Sequence, residues 1–186
     1  MAFGGNFSAG KAGSAVDAFR VQADALAETG VDLLMLEMML SAEVAEPALQ
    51  AAGKTGLPVW LGFPVAEVTP DDALITPAGT DVSALLELAQ DRADAVLIMH
   101  TDIDVAEQAL PLLTQPWRRP IGAYPHVGDW TPPNWVFRDI SPAAFGAKVA
   151  PWASMGAQVL GGCCGIGPNH IAALCDAMPR KMLLTP

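Results

Sequence analysis

An α/β domain built on a parallel sheet is the fold class this sequence predicts, and two observations predict it. Five short apolar runs, at 31–38, 58–64, 93–100, 120–124 and 157–161, are hydrophobic nearly throughout, as strands covered on both faces are. Amphipathic helical stretches lie between them, so that strand starts recur roughly every thirty residues, the rhythm of repeated βα units. Such repeats fold as a doubly wound open sheet or as a (β/α)8 barrel. Periodicity does not choose between the two: five strands suit an open sheet, and a barrel needs three more.

The helices carry readable starts and stops. The first spans about 15–29 and stops at Gly30, a residue suited to the left-handed C′ position. Others start near Ser41, near Asp81 and near residues 101–104. Ser141-Pro142 combines an N-cap with proline at the first helical position, and Gly167-Pro168 repeats the pattern. Residues 117–135 are rich in Pro, Gly and aromatics, which predicts that part of this stretch is a long ordered loop after the fourth strand.

Composition narrows the function classes. The chain has 186 residues, 52% hydrophobic and 16% charged, enough apolar material for one domain with a substantial core and too little charge for extended disorder. The reading is a single domain over 14–186 behind a flexible segment, 1–13. A net charge of −10 argues against nucleic acid, whose phosphates require Lys and Arg. No apolar run reaches the roughly 18 residues of a membrane span, and residues 1–13 lack the apolar core of a signal peptide. Three cysteines, two of them adjacent, make no disulfide framework and fit a reducing cytoplasm.

The chemistry concentrates in Gly161-Gly162-Cys163-Cys164-Gly165-Ile166-Gly167-Pro168-Asn169-His170-Ile171. Adjacent side chains on a strand point to opposite faces, so neighbouring cysteines do not ordinarily share a metal. The flanking glycines relax that restriction by admitting unusual backbone angles where the strand turns into a helix. Both thiolates can then reach one ion, and soft thiolates favour zinc, iron–sulfur clusters or copper(I). The alternative is a pair of small buried residues behind a Gly-rich turn. Cys175 has core-like spacing from Ile171 and Met178, which predicts packing, and His170, in the first turn of the last helix, reads as structural.

Gly-Gly-Cys-Cys-Gly followed by Pro168 and His170-Ile171 resembles the zinc signature of the homocysteine S-methyltransferase family, which includes betaine–homocysteine methyltransferases. Further segments agree in order. Gly30-Val31-Asp32-Leu33-Leu34-Met35-Leu36-Glu37 resembles that family's fourth strand with its substrate-binding glutamate. Pro58-Val59-Trp60-Leu61-Gly62-Phe63 resembles the fifth strand, and Tyr124-Pro125-His126-Val127-Gly128 the Tyr-Pro-Asn-x-Gly after the seventh. The resemblance covers about 15–178. It implies a TIM-type (β/α)8 barrel, represented here by strands 4–8 with their helices. The family's first-strand Asp-Gly-Gly has no counterpart, since Gly4-Gly5-Asn6 follows no apolar strand.

The resemblance also implies a site. In the family a third cysteine ends the sixth strand and completes a zinc centre; here Met99-His100 stands in its place. Histidine is a competent zinc ligand, and two Cys plus one His with an open fourth position is an ordinary catalytic arrangement. The implied set is Cys163, Cys164 and His100, with His126 a competitor from the next strand end. Glu37 is implied to hold the ammonium group of the substrate, with capping of the helix near Ser41 as its alternative role. Tyr124 lines the pocket. These residues all fall at the C-terminal ends of their strands, the rim where barrels build active sites.

The implied activity is zinc-dependent methyl transfer to the thiol of homocysteine or a similar thiol. Its partners are the small-molecule thiol and a methyl donor, with betaine, S-methylmethionine, S-adenosylmethionine and folates all used across relatives. Trp130 and Trp135 are candidates for a cage around a cationic donor. Imidazole in place of a thiolate makes the site more positive by one unit, which deepens thiol acidification. Two other classes stay open. One is a non-catalytic half-barrel that binds zinc or a partner chain, including a second copy closing the sheet edges. The other is an open-sheet thiol enzyme with Cys163 as nucleophile, though no base is evident beside it.

Overall fold

The computed structural model describes residues 12–131 and 133–178. The expected flexible segment 1–13 lies outside them except for its last two residues, which open the first helix. Along the chain run α1 (Ala12–Glu28), β1 (Leu34–Leu36), α2 (Ala42–Ala52) and β2 (Val59–Phe63). A short antiparallel ribbon follows, β3 (Glu67–Val68) and β4 (Leu74–Ile75), and then α3 (Val82–Ala89), β5 (Ala95–Asp102), α4 (Ile103–Ala109) and β6 (Ile121–His126). The hairpin β7 (Asp129–Thr131) and β8 (Asn134–Val136) leads to α5 (Pro142–Val149), β9 (Ala157–Leu160) and α6 (Pro168–Ala177). None of the described helices is long and apolar enough to cross a membrane.

Five strands form one parallel sheet in the order β1-β2-β5-β6-β9. That order follows the chain without reversal, so the sheet has no switch point of the kind that defines doubly wound folds. Register fixes which residues share a face. Leu34, Val59, Leu61, Val96, Ile98, Ile121 and Ala123 belong to one continuous core with Ala45, Leu49, Leu85, Leu110, Phe145 and Trp152. Each fully buried large side chain in such a core contributes about 1.5–3 kcal/mol.

Alternation sends Met35, Trp60, Gly62, Leu97, Met99, Gly122 and Tyr124 to the other face. That face is packed small against large. A β-carbon on Gly122 would stand 2.5 Å from the Val159 carbonyl oxygen and 2.7 Å from Val159 Cβ. One on Gly62 would stand 2.9 Å from the Tyr124 hydroxyl. These two glycines let neighbouring side chains lie across their strands.

The helix signals act where the residue types predict. Gly30 takes φ +81° behind α1, and Gly30 N–H donates to Ala27 O. Asp81 accepts from Ser83 N–H at 2.8 Å, and Ser141 Oγ from Ala144 N–H at 3.2 Å. The structure departs from or adds to the sequence reading at three places. β1 is shorter than 31–38 because Met38 takes φ +59° and ends the extended run. Residues 64–81 contain the β3–β4 ribbon, whose two-residue strands leave no periodic trace. The stretch expected as a loop after the fourth parallel strand contains the β7–β8 hairpin, with Trp130 opposite Trp135.

Replacing Gly122 by Ala is expected to force the β6–β9 pair apart and destabilise the fold by about 1–3 kcal/mol. Urea unfolding reads this as a lower midpoint, and an unchanged midpoint would refute the close approach at this position.

Candidate metal and substrate site

The rim at the C-terminal ends of the strands is assembled by main-chain contacts. Gly161 N–H donates to Ala123 O, Cys163 N–H to Pro125 O and Val127 N–H to Cys164 O, at 2.8–3.0 Å. The cysteine turn is therefore an extension of the β6 ladder. Its shape requires glycine twice. A β-carbon on Gly162 would stand 2.2 Å from Ile166 Cγ2, and Gly165 takes φ +83° with Val127 O 2.6 Å from where its β-carbon would be. The sulfurs of Cys163 and Cys164 end 3.7 Å apart, so both thiols face one point.

His100 reaches that point through a break in the strand. Between Met99 and Asp102, β5 advances three residues while β6 advances two, from Tyr124 to His126. The extra residue is a bulge, a device that re-aims side chains. His100 within it has φ +46°, a left-handed conformation that histidine enters more readily than most residues but still at a cost. In regular strand geometry His100 would point away from the face of Met99 and Tyr124. Instead, one donor atom each from His100, Cys163 and Cys164 lie within 4.8 Å of one another. Two thiolates and an imidazole at this separation fit a zinc ion.

Burial pushes the Cys163 thiol up to about 11, with lesser contributions from Cys164 and Glu37. At neutral pH without a cation it is protonated and a poor nucleophile, which counts against a thiol enzyme acting through Cys163. Burial lowers His100, and burial with the neighbouring His100 lowers His126, so both rings favour the neutral form that binds metals. His126 is not in the ligand cluster. Its ring centroid lies 5.1 Å from that of His100, tilted at 56°. His126 Nδ1 is buried with no hydrogen-bond partner among the described residues.

Glu37 follows β1 and does not cap α2. It accepts a 3.1 Å hydrogen bond from the Tyr124 hydroxyl, which also lies 3.3 Å from Met35 Sδ. Tyr124 thus spans from β6 across the gap above Gly62 to the end of β1. Burial, then the Glu37 charge, holds its hydroxyl far above the ordinary phenol range, so it stays a donor. His170 is structural: Nδ1 accepts from Gly167 N–H at 3.0 Å, leaving Nε2–H to donate to Ile140 O at 2.9 Å. Cys175 is exposed, not packed in the core; α6 buries only Leu174, so the spacing from Ile171 and Met178 marked a partly covered face. Trp135 packs edge-on against His100 and His126 and stacks on Phe137; the Trp130 side chain lies outside the described residues.

A cleft of about 260 Å³ beside the metal cluster is lined by His100, Asp102, His126, Asp129 and Trp135, among others. A larger cleft, about 830 Å³, lies at the opposite ends of the strands, by Pro58, Ala93, Asp94 and Arg119, away from these groups.

The profile of the homocysteine S-methyltransferase family matches residues 5–178. The chain belongs to that family. It is 29% identical over 171 residues to homocysteine S-methyltransferase 3 of Arabidopsis thaliana, covering 87% of this chain and 48% of the relative. Its fold is similar to crystal structures of the homocysteine methyltransferase MmuM from Escherichia coli. The oxidized form aligns with TM-score 0.70 at 23% identity, covering 87% of this chain and 52% of that one. The metallated form aligns with TM-score 0.68 at 22% identity, covering 91% and 53%. The chain spans about half the length of the relatives it matches.

Iodoacetamide at neutral pH is expected to label exposed Cys175 well before Cys163 in chelator-treated protein. Peptide mass spectrometry gives the order, and Cys163 reacting first would restore the thiol-nucleophile reading.

Proposed function

We propose that this chain forms the zinc-binding part of a homocysteine S-methyltransferase, acting in methyl transfer to the thiol of homocysteine or a closely similar thiol. The observation that carries the reading is the convergence of His100, Cys163 and Cys164 within 4.8 Å in a chain of this family. These three residues would hold the zinc, a ligand set that leaves a fourth position open to a thiol. Zinc bound there supplies the Lewis acidity that makes a thiol a thiolate at neutral pH, where a free thiol near 8.5 is mostly protonated.

The chain's own groups bind and orient the substrate. Glu37 accepts hydrogen bonds from the substrate ammonium, a charge-assisted contact. Tyr124 donates to the same carboxylate, fixing its rotamer so that the ammonium is received in one geometry. Tyr124 Cβ lies 3.3 Å from where a β-carbon on Gly161 would be, at the start of the cysteine turn, so the substrate's two ends meet neighbouring parts of one rim. The methyl donor enters from solvent on the open side of the thiol. Trp135, beside His100, lines that approach.

The five strands are read as the last five of an eight-stranded barrel. Within the described sheet, β1 and β9 each pair on one side only, which favours a second reading as well. In it the half-barrel binds zinc or a partner chain without turnover, a second copy being one candidate to cover the edges.

Zinc per chain tests the ligand set. About one equivalent in the wild type, lost in both Cys163→Ser and His100→Ala, is the expected result; folded wild-type protein without zinc refutes it. The substrate role of Glu37 is tested by calorimetric titration of homocysteine into zinc-loaded protein. Glu37→Gln is expected to weaken binding by about 10- to 100-fold, the worth of a hydrogen bond to a charged group, with zinc content unchanged. Equal affinity in the two proteins would remove Glu37 from the site.

A further inference from the structure

We infer that Trp135 and His126 are positioning residues for the metal site, holding the His100 imidazole where a cysteine side chain would need no such support. The inference rests on the zinc reading above and adds residues that the ligand set does not contain. An imidazole is larger than a thiol and must be fixed in rotation as well as position to direct one nitrogen at an ion. The bulge turns the His100 side chain toward the rim and leaves the rotation of its ring to be set by neighbours. Its ring is held from two sides. His126 lies 5.1 Å away, centroid to centroid, and Trp135 5.3 Å away in an edge contact at 86°. Trp135 and His126 also meet edge to face at 5.1 Å, which closes a three-ring cluster.

The second observation is how Trp135 is delivered. It lies on β8, in the hairpin that begins just after Gly128, and stacks on Phe137 at 5.9 Å with the rings 2° from parallel. Phe137 in turn lies against two glycines. Its Cα is 2.9 Å from where a Gly128 β-carbon would be, and its Cδ1 is 3.2 Å from the corresponding point on Gly165. Gly165 immediately follows Cys164. One hairpin therefore braces both halves of the ligand set, the histidine through Trp135 and the cysteine turn through Phe137. Arg138, just beyond Phe137, pairs with Asp102 at the end of β5 and anchors this segment to the strand that carries His100.

The test compares wild type, Trp135→Ala, Trp135→Phe and His126→Ala. Zinc affinity is read by competition with a chelating dye, and ligand geometry by the visible spectrum of Co(II)-substituted protein. Trp135→Ala is expected to weaken zinc about 10- to 100-fold, the usual effect of removing support for a ligand, and to shift the cobalt bands while circular dichroism stays unchanged. Trp135→Phe should recover most of the affinity by restoring an aromatic edge. Folded Trp135→Ala protein with wild-type affinity and an unchanged cobalt spectrum overturns the inference and leaves the three-ligand reading intact. Wild-type protein that binds neither metal overturns both. Where Trp135→Ala does not fold, His126→Ala decides on the same two readouts: weaker zinc and shifted bands support the inference, and wild-type values overturn it.

Discussion

Parallel strands hold each other in register through every hydrogen bond of the ladder, and at the end of β5 that register gives way by one residue. The site depends on this slip. Up to Met99 the strand alternates faces, packing Ile98 into the helix-covered core and Met99 on the opposite face beside Tyr124. Without the bulge, His100 would continue the alternation on the core side. With it, the imidazole joins two sulfurs from the turn after β9, a strand that does not pair with β5 at all. The cost of a left-handed histidine is of order 1–3 kcal/mol. It is offset locally by Thr101, whose hydroxyl donates to Met99 O and accepts from Val65 N–H, and by the Asp102 cap on α4.

Close approach is the second constraint. The cysteine turn can lie on β6 only because Gly162 and Gly165 present no β-carbon to Ile166 and Val127. Tyr124 can reach Glu37 only because Gly62 leaves the space between them clear. The proposed substrate and metal sites are thus parts of one packing solution on the face of the sheet away from the helices. Small residues there make room for the few polar side chains that the proposed chemistry uses.

Much of this was legible in the amino-acid order. Near-continuous apolar runs located all five parallel strands, and Gly30, Asp81, Ser141 and Gly167 located helix ends. Gly-Gly-Cys-Cys-Gly identified the turn, and the family resemblance, which places a third ligand at the end of that strand, singled out His100. The bulge that directs His100 was not legible, because it arises from pairing with β6 and has no signature in β5 itself. The β7–β8 hairpin was hidden for a related reason. Its strands have three residues each, too few for a period to register, and their Pro-rich connection reads as loop. Cys175 misled because helical spacing marks a face without saying whether anything covers it; α6 lies at the margin of the sheet.

The hydrogen bond between Tyr124 and Glu37 joins residues 87 apart in sequence. Between them lie two whole strands of the sheet, and each must take its place before the two side chains can meet. Contacts of such long range form late in folding, because the intervening loop entropy must be lost first. The proposed ammonium-binding carboxylate is therefore one of the last features to acquire its geometry. A collapsed chain with its helices and local turns already formed would still have no pocket. The proposed recognition at Glu37 would thus double as a quality check on assembly: only a chain whose β1, β2, β5 and β6 are in register can bring Tyr124 to it.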